Sequence, residues 1–303
     1  MLSLGCACAA ASADAAPVIG QFELKTLDSA TGSVELQSQN AWSWGHPARQ
    51  LASAADGLVI DDNAVIHQRH ALEIELGFTS RLKMRAGIEF EKERIDDPAT
   101  LAQVDAFDAL RLNDIGLELI AVLAPRTGDG VGVGVVAEFE RSRDRDEPDT
   151  LVLGSIVELR AGRWFVAAVP MVVRSSGGDS GDAPSDDKWD FMYAAQLSYG
   201  VADRWSIALE GYGTVERIQD DGHPSEAARV FGDFDQHRAG VIVYYTSALG
   251  CVTCERAAPI AASLIGSGGA DDSTTLTIGV GLLTGLNGNT PDQTLKLSIE
   301  LDF

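Results

Sequence analysis

Side chains able to do covalent or metal chemistry are few and scattered. Cys251 and Cys254 stand in a Cys-Val-Thr-Cys spacing, yet Glu255 follows where haem attachment wants a histidine. A zinc site would want a second pair of ligands, and the sequence offers none beside them. The pair reads as a small local disulfide or two idle thiols in an oxidising compartment. The histidines are His46, His67, His70, His223 and His237. His67 and His70 are three apart, which in a strand sends them to opposite faces and makes them poor co-ligands. A lipid hydrolase built on a barrel wall needs a serine nucleophile, a histidine base and a polar orienter. His237 lies between Gln236 and Arg238, and no His-x-Ser-Asn pattern occurs. Lipid hydrolysis is therefore the remote reading, and no catalytic residue, metal or cofactor is expected.

The abundant chemistry is ionic, and it comes in alternation. Leu72, Ile74, Leu76 and Phe78 fall on one face of an extended chain, with Glu73, Glu75 and Gly77 on the other. Leu82, Met84, Ala86, Ile88 and Phe90 likewise oppose Lys83, Arg85, Glu89 and Glu91. A helix would mix these sets, whereas a strand separates them. The pattern returns with Asp114 and Glu118 opposite Ile115 and Leu117, and with Glu138 opposite Val135 and Phe139. It recurs with Glu210 opposite Ile207 and Leu209, and with Lys296 and Glu300 opposite Leu295, Leu297 and Ile299.

The elements that must carry these faces are strands near 31–43, 66–79, 81–93, 109–124, 131–142, 150–161, 163–175, 189–202, 204–218, 234–248, 273–285 and 293–303. Within 163–175 the alternation is blurred, and Pro170 would remove a ladder hydrogen bond. Short connections at 79–81, 126–130, 161–162 and 202–204 alternate with longer polar ones at 94–108, 143–149, 176–188 and 219–233. The stretch 249–272 is long where a short turn was due. Sharing one face between Phe78 and Leu82 predicts that Gly77 pairs with Lys83 and Glu75 with Arg85; the same logic pairs Gln196 with Glu210.

Half-apolar strands suit a sandwich, with the apolar face inside, or a membrane barrel, with it outside. Leu2 to Ala11 followed by Ala13-Asp14-Ala15 resembles a secretory signal, although no Lys or Arg precedes the apolar run. Aromatic residues gather near strand ends at Trp42, Trp44, Trp164, Trp189, Trp205, Tyr244 and Tyr245, as interfacial girdles require. The sequence ends on Phe303, on the apolar face, a signal for barrel-assembly machinery. These features favour an all-β, antiparallel up-and-down transmembrane barrel of about twelve strands. The expected organisation is a signal peptide over 1–15, a lead-in over 16–30 and an outer-membrane barrel over 31–303. A formal charge of −22 excludes nucleic acid as a partner. The acidic runs at 143–147 and 179–187 read as solvated loops, or as loops facing divalent cations at a lipopolysaccharide surface. Outer-membrane lipid and lipopolysaccharide are the expected surroundings.

At Gly77-Phe78-Thr79-Ser80-Arg81-Leu82, Tyr199-Gly200-Val201-Ala202-Asp203-Arg204-Trp205, residues 232–240 and residues 285–292, the chain resembles a large group of proteobacterial outer-membrane barrels. Some of these are labelled transporters or proteins of the meta-pathway for phenol degradation. The resemblance spans roughly residues 31 to 303 and implies a barrel fold, with no catalytic residues.

On this reading Glu73, Glu75, Lys83, Arg85, Glu89, Asp114, Glu118, Glu138, Glu158, Arg160, Glu210, Arg238, Lys296 and Glu300 line a lumen. Inward glycines, among them Gly77, Gly132, Gly134, Gly154, Gly200, Gly279 and Gly281, would leave room for water. The expected function is a narrow cation-preferring channel or transporter for a small polar or cationic solute. The alternative is a structural or surface-interaction barrel whose lumen is closed by salt bridges. Glu118 and Glu138, with no basic residue assigned beside them, should carry more of the cation bias than Glu75.

Overall fold

Strands that are apolar on one face and ionic on the other must hide one face from its wrong solvent. This chain does so by closing a single sheet on itself. The computed structural model describes residues 24–45, 52–54, 57–59, 65–94, 110–143, 149–176, 188–215, 218, 236–250, 274–288 and 290–303. The strands are β1 (Val34–Trp44), β2 (Ala52–Ala54), β3 (Gly57–Val59), β4 (Val65–Thr79), β5 (Leu82–Arg94), β6 (Arg111–Ala124) and β7 (Gly130–Ser142). They continue as β8 (Asp149–Ala161), β9 (Trp164–Ser176), β10 (Lys188–Ala202), β11 (Trp205–Val215), β12 (Gln236–Gly250), β13 (Thr274–Gly285) and β14 (Gln293–Asp302).

Twelve of these form a closed, wholly antiparallel barrel in which neighbours along the chain are neighbours in the wall, and β1 seals against β14. The all-β up-and-down barrel expected from the alternation is the fold observed. β2 and β3 form a separate two-stranded sheet that is not part of the wall, in a stretch too short to show a period. Register follows the predicted pairs: Glu75 faces Arg85, Gly77 faces Lys83 and Gln196 faces Glu210. Pro170 sits inside a continuous β9. Pairing with β8 is interrupted there, running from Gly154–Met171 to Val157–Ala168, because proline has no N–H to give.

The two faces settle the choice between sandwich and barrel. Outward residues are large and apolar yet exposed, with Leu117 at 52%, Leu209 at 53% and Val241 at 52%. Inward residues include ionisable side chains shut off from solvent, such as Glu158, Glu210, Lys83 and Lys296. Val34, Phe303 and the turns at 80–81, 125–129, 162–163 and 203–204 lie at one end of the barrel, the short-turn end. Ring pairs Trp164–Tyr199, centroids 4.7 Å apart, and Trp205–Tyr245, at 4.8 Å, mark that rim. Towards the long-loop end Trp42 meets His70 edge-on at 5.4 Å, and the Arg174 guanidinium lies over Trp189. An apolar belt edged by aromatic rings is how a barrel meets a bilayer.

Candidate functional site

The inward charges gather into linked clusters. On β4–β5, Glu75 takes Lys83 Nζ at 3.0 Å and Arg85 at 2.9 Å; Arg85 also reaches Glu118 at 3.7 Å and Glu73 at 3.9 Å. Nearer the long-loop end, Arg69 pairs with Glu89 and, at 3.5 Å, with Glu91, while Asn113 donates to Glu91 and to Asp114. Across the barrel, Glu210 accepts from Lys296 at 2.5 Å, Tyr212 at 2.6 Å, Tyr244 at 2.5 Å and Gln196 at 2.9 Å. These donors come from four strands, β14, β11, β12 and β10, so one carboxylate ties them together. A buried carboxylate with this many donors keeps its charge satisfied without water.

Glu158 receives Arg126 at 3.3 Å and the Leu27 amide at 2.7 Å. Arg160 lies over the Phe165 ring, and Arg238 donates to Thr294 and Gln236. Glu300 stands with Glu35 and Asp302, three carboxylates whose oxygens come within 4.8 Å of one another. Asp302 falls on the polar face of the last strand in the sequence but was not counted among the lumen residues, and neither was Glu35, because their meeting depends on β1 sealing against β14.

The structure overturns one expectation directly. Glu118 and Glu138 do have a basic partner: Lys25 forms an ion pair with Glu118 and lies 3.0 Å from Glu138. Lys25 belongs to residues 24–30, ahead of β1, which run inside the barrel. Leu24, Lys25, Thr26 and Leu27 are all buried there. Lys83 donates to the Asp28 carbonyl, Arg126 pairs with the Asp28 side chain, and Ser29 donates to the Thr79 carbonyl. The segment turns back into β1 at Gly32, whose φ of 85° suits glycine.

The glycine expectation also changes. A Cβ at Gly132 would come within 2.9 Å of Leu27 Cδ1, and one at Gly134 would collide with Leu27 Cδ2. A Cβ at Gly77 would strike Ala30 and Ser33, and one at Gly279 would strike Tyr244. These glycines make room for protein, not for water. Space does remain beside Gly116 and Gly200, in cavities of about 30 Å³ and 200 Å³.

Nor is the interior polar all round. Ile120, Val122, Val136, Val152, Ile156, Phe165, Val169, Met171 and Val173 cover the inner wall from β6 to β9, and Leu24 and Leu27 pack with them. Residues 24–30 thus lay leucines on an apolar sector and a lysine between two glutamates.

His237 faces outward with Val241 and Val243, and its Nδ1 lies 3.0 Å from the Tyr193 hydroxyl. Phe303 ends the outward face beyond β14, its amide donating to the Val34 carbonyl. Cys251, Cys254 and the expected signal peptide lie outside the described residues.

No family model matches the chain, and no curated protein matches it. Among solved structures it is similar to the COG4313 outer-membrane channel from Pseudomonas putida F1. That likeness has 15% identity and a TM-score of 0.54, covering 92% of this chain and 97% of that one. More distant is the KdgM porin in complex with disordered oligogalacturonate, at 7% identity and a TM-score of 0.41, covering 89% and 98%. The translocator domain of the autotransporter NalP from Neisseria meningitidis stands at 9% and 0.42, covering 89% and 87%. What the first of these shows is a shared barrel fold.

Proposed function

We propose that the protein is an outer-membrane channel, narrow and cation-preferring, for small polar or cationic solutes, and that residues 24–30 form its constriction. The observation that carries this reading is the inverted barrel: exposed leucine and valine outside, ionisable side chains inside. Such a wall is soluble in lipid and not in water. On this reading the short-turn end, with the connection 251–273, faces the periplasm and the other long connections face outward, towards lipopolysaccharide. Phe303 then presents its ring to the assembly machinery at the periplasmic rim.

Acidic groups still outnumber basic ones along the lumen once Lys25, Arg69 and Arg126 are added to the bases and Glu35 and Asp302 to the acids. A low-dielectric wall focuses that surplus, which favours cations. The test is reversal potential under a salt gradient in a planar bilayer. Wild-type protein should show single-channel steps and a cation-selective potential. Lys25→Gln removes a positive charge from between Glu118 and Glu138, and should raise the cation-to-anion permeability ratio by roughly twofold. The dense ion pairing favours a second reading, a structural barrel that does not conduct. Absence of steps in both proteins would establish that reading and end this one.

A further inference from the structure

On the side of β9 to β11 the short-turn mouth of the lumen is basic. At the short-turn end a cavity of about 200 Å³ is lined by Arg160, Arg163 and Arg204, against one acidic residue, Asp203, among the described residues. The arrangement follows from the topology. Because β9 pairs with β10, the turn carrying Arg163 lies beside the turn carrying Arg204, and the Gly200 amide donates to the Arg163 carbonyl at 2.9 Å. Gly200 adds no side chain, so the floor between the turns stays open. Ser206 contributes a buried hydroxyl oxygen that has no hydrogen-bond partner among the described residues. Ser198 and Thr246 supply further hydroxyls to the lining.

We propose that this cavity binds an oxyanion of the phosphate type, held by Arg163 and Arg204 with Arg160 behind them and the Ser206 hydroxyl donating. Guanidinium groups match tetrahedral oxyanions with paired N–H donors, and an unpartnered buried hydroxyl is the group such an anion would satisfy. The phosphate can come from two sources. It can be free in solution, reaching the cavity through the mouth. It can also be the head group of a phospholipid, since Trp164 and Trp205 flank the cavity on the outward side and the exposed wall above them would hold acyl chains.

The site is tested by binding, so its failure is separate from a failure to conduct. Detergent-solubilised full-length protein is titrated calorimetrically with sodium phosphate at fixed ionic strength. In parallel, protein in nanodiscs containing phosphatidylglycerol is assayed for retained lipid by native mass spectrometry. Saturable binding in either arm is expected, and the arm that binds identifies the source. Arg163→Gln with Arg204→Gln should weaken that binding about tenfold or more, the scale of losing hydrogen bonds to a charged group. Arg163→Lys with Arg204→Lys keeps the charge but loses the paired donors, so its affinity should fall between wild type and the glutamine double variant, and it also controls for folding. Binding in neither arm, or affinity unchanged in the glutamine double variant, would overturn the proposal.

Discussion

Glu210 shows what a single residue can do in a closed wall. It sits on β11 and holds Lys296 of β14 across two intervening strands, with Tyr212 and Tyr244 completing its shell. Removing one partner of such a pair leaves a buried charge uncompensated, at a cost of about 3–5 kcal/mol. Lys296→Met should therefore lower the urea midpoint of the folded gel-shifted band strongly, and Lys296→Met with Glu210→Gln should recover much of that loss. Equal midpoints for the single and double variants would show that the pair is not coupled. Gly134 is a second sensitive position, because a valine there displaces Leu27 and crowds the Ala121 carbonyl. Gly134→Val should make the N-terminal segment accessible to protease and increase conductance. Neither Lys25 nor Leu27 was legible in the sequence. The segment has no alternation to read, and Lys25 meets Glu118 and Glu138 from 93 and 113 residues away.

Strands were legible where their faces differ, as in β4 and β5, whose register could be stated from turn length and polarity alone. β9 resisted for a physical reason now visible. Phe165, Val169, Met171 and Val173 point inward to an apolar sector while Trp164, Val166 and Pro170 point outward, so both faces are apolar and no period of two survives. The outward faces carry their own test. An arginine at the bilayer midplane costs about 2–4 kcal/mol, and much less near the interface. Leu209→Arg, halfway along β11, should destabilise protein refolded into liposomes by that amount, and Val201→Arg, beside a turn, by clearly less. Equal costs would argue against a lipid-facing wall. Phe303→Asp should reduce folded protein in the outer membrane while leaving export intact, read by fractionation and unheated gel migration.

At the scale of the whole molecule, the closed wall leaves no strand edge unpaired among the twelve. The detergent-solubilised protein should give a strand-dominated circular dichroism spectrum and migrate differently on gels when unheated. A helix-rich spectrum would contradict the fold. Closure was legible only as an even count of strands with alternating turn lengths; that residues 24–30 narrow the lumen was not. That narrowing has a topological consequence. Residues 24–30 are held by side-chain pairs, by packing and by a few bonds to single backbone groups, and among the described residues none of them pairs as a strand. The segment enters through the mouth where β1 begins and is tethered there at Gly32. It is a stopper on a cord and not a rivet: among the described residues, withdrawing it would break no rung of the wall.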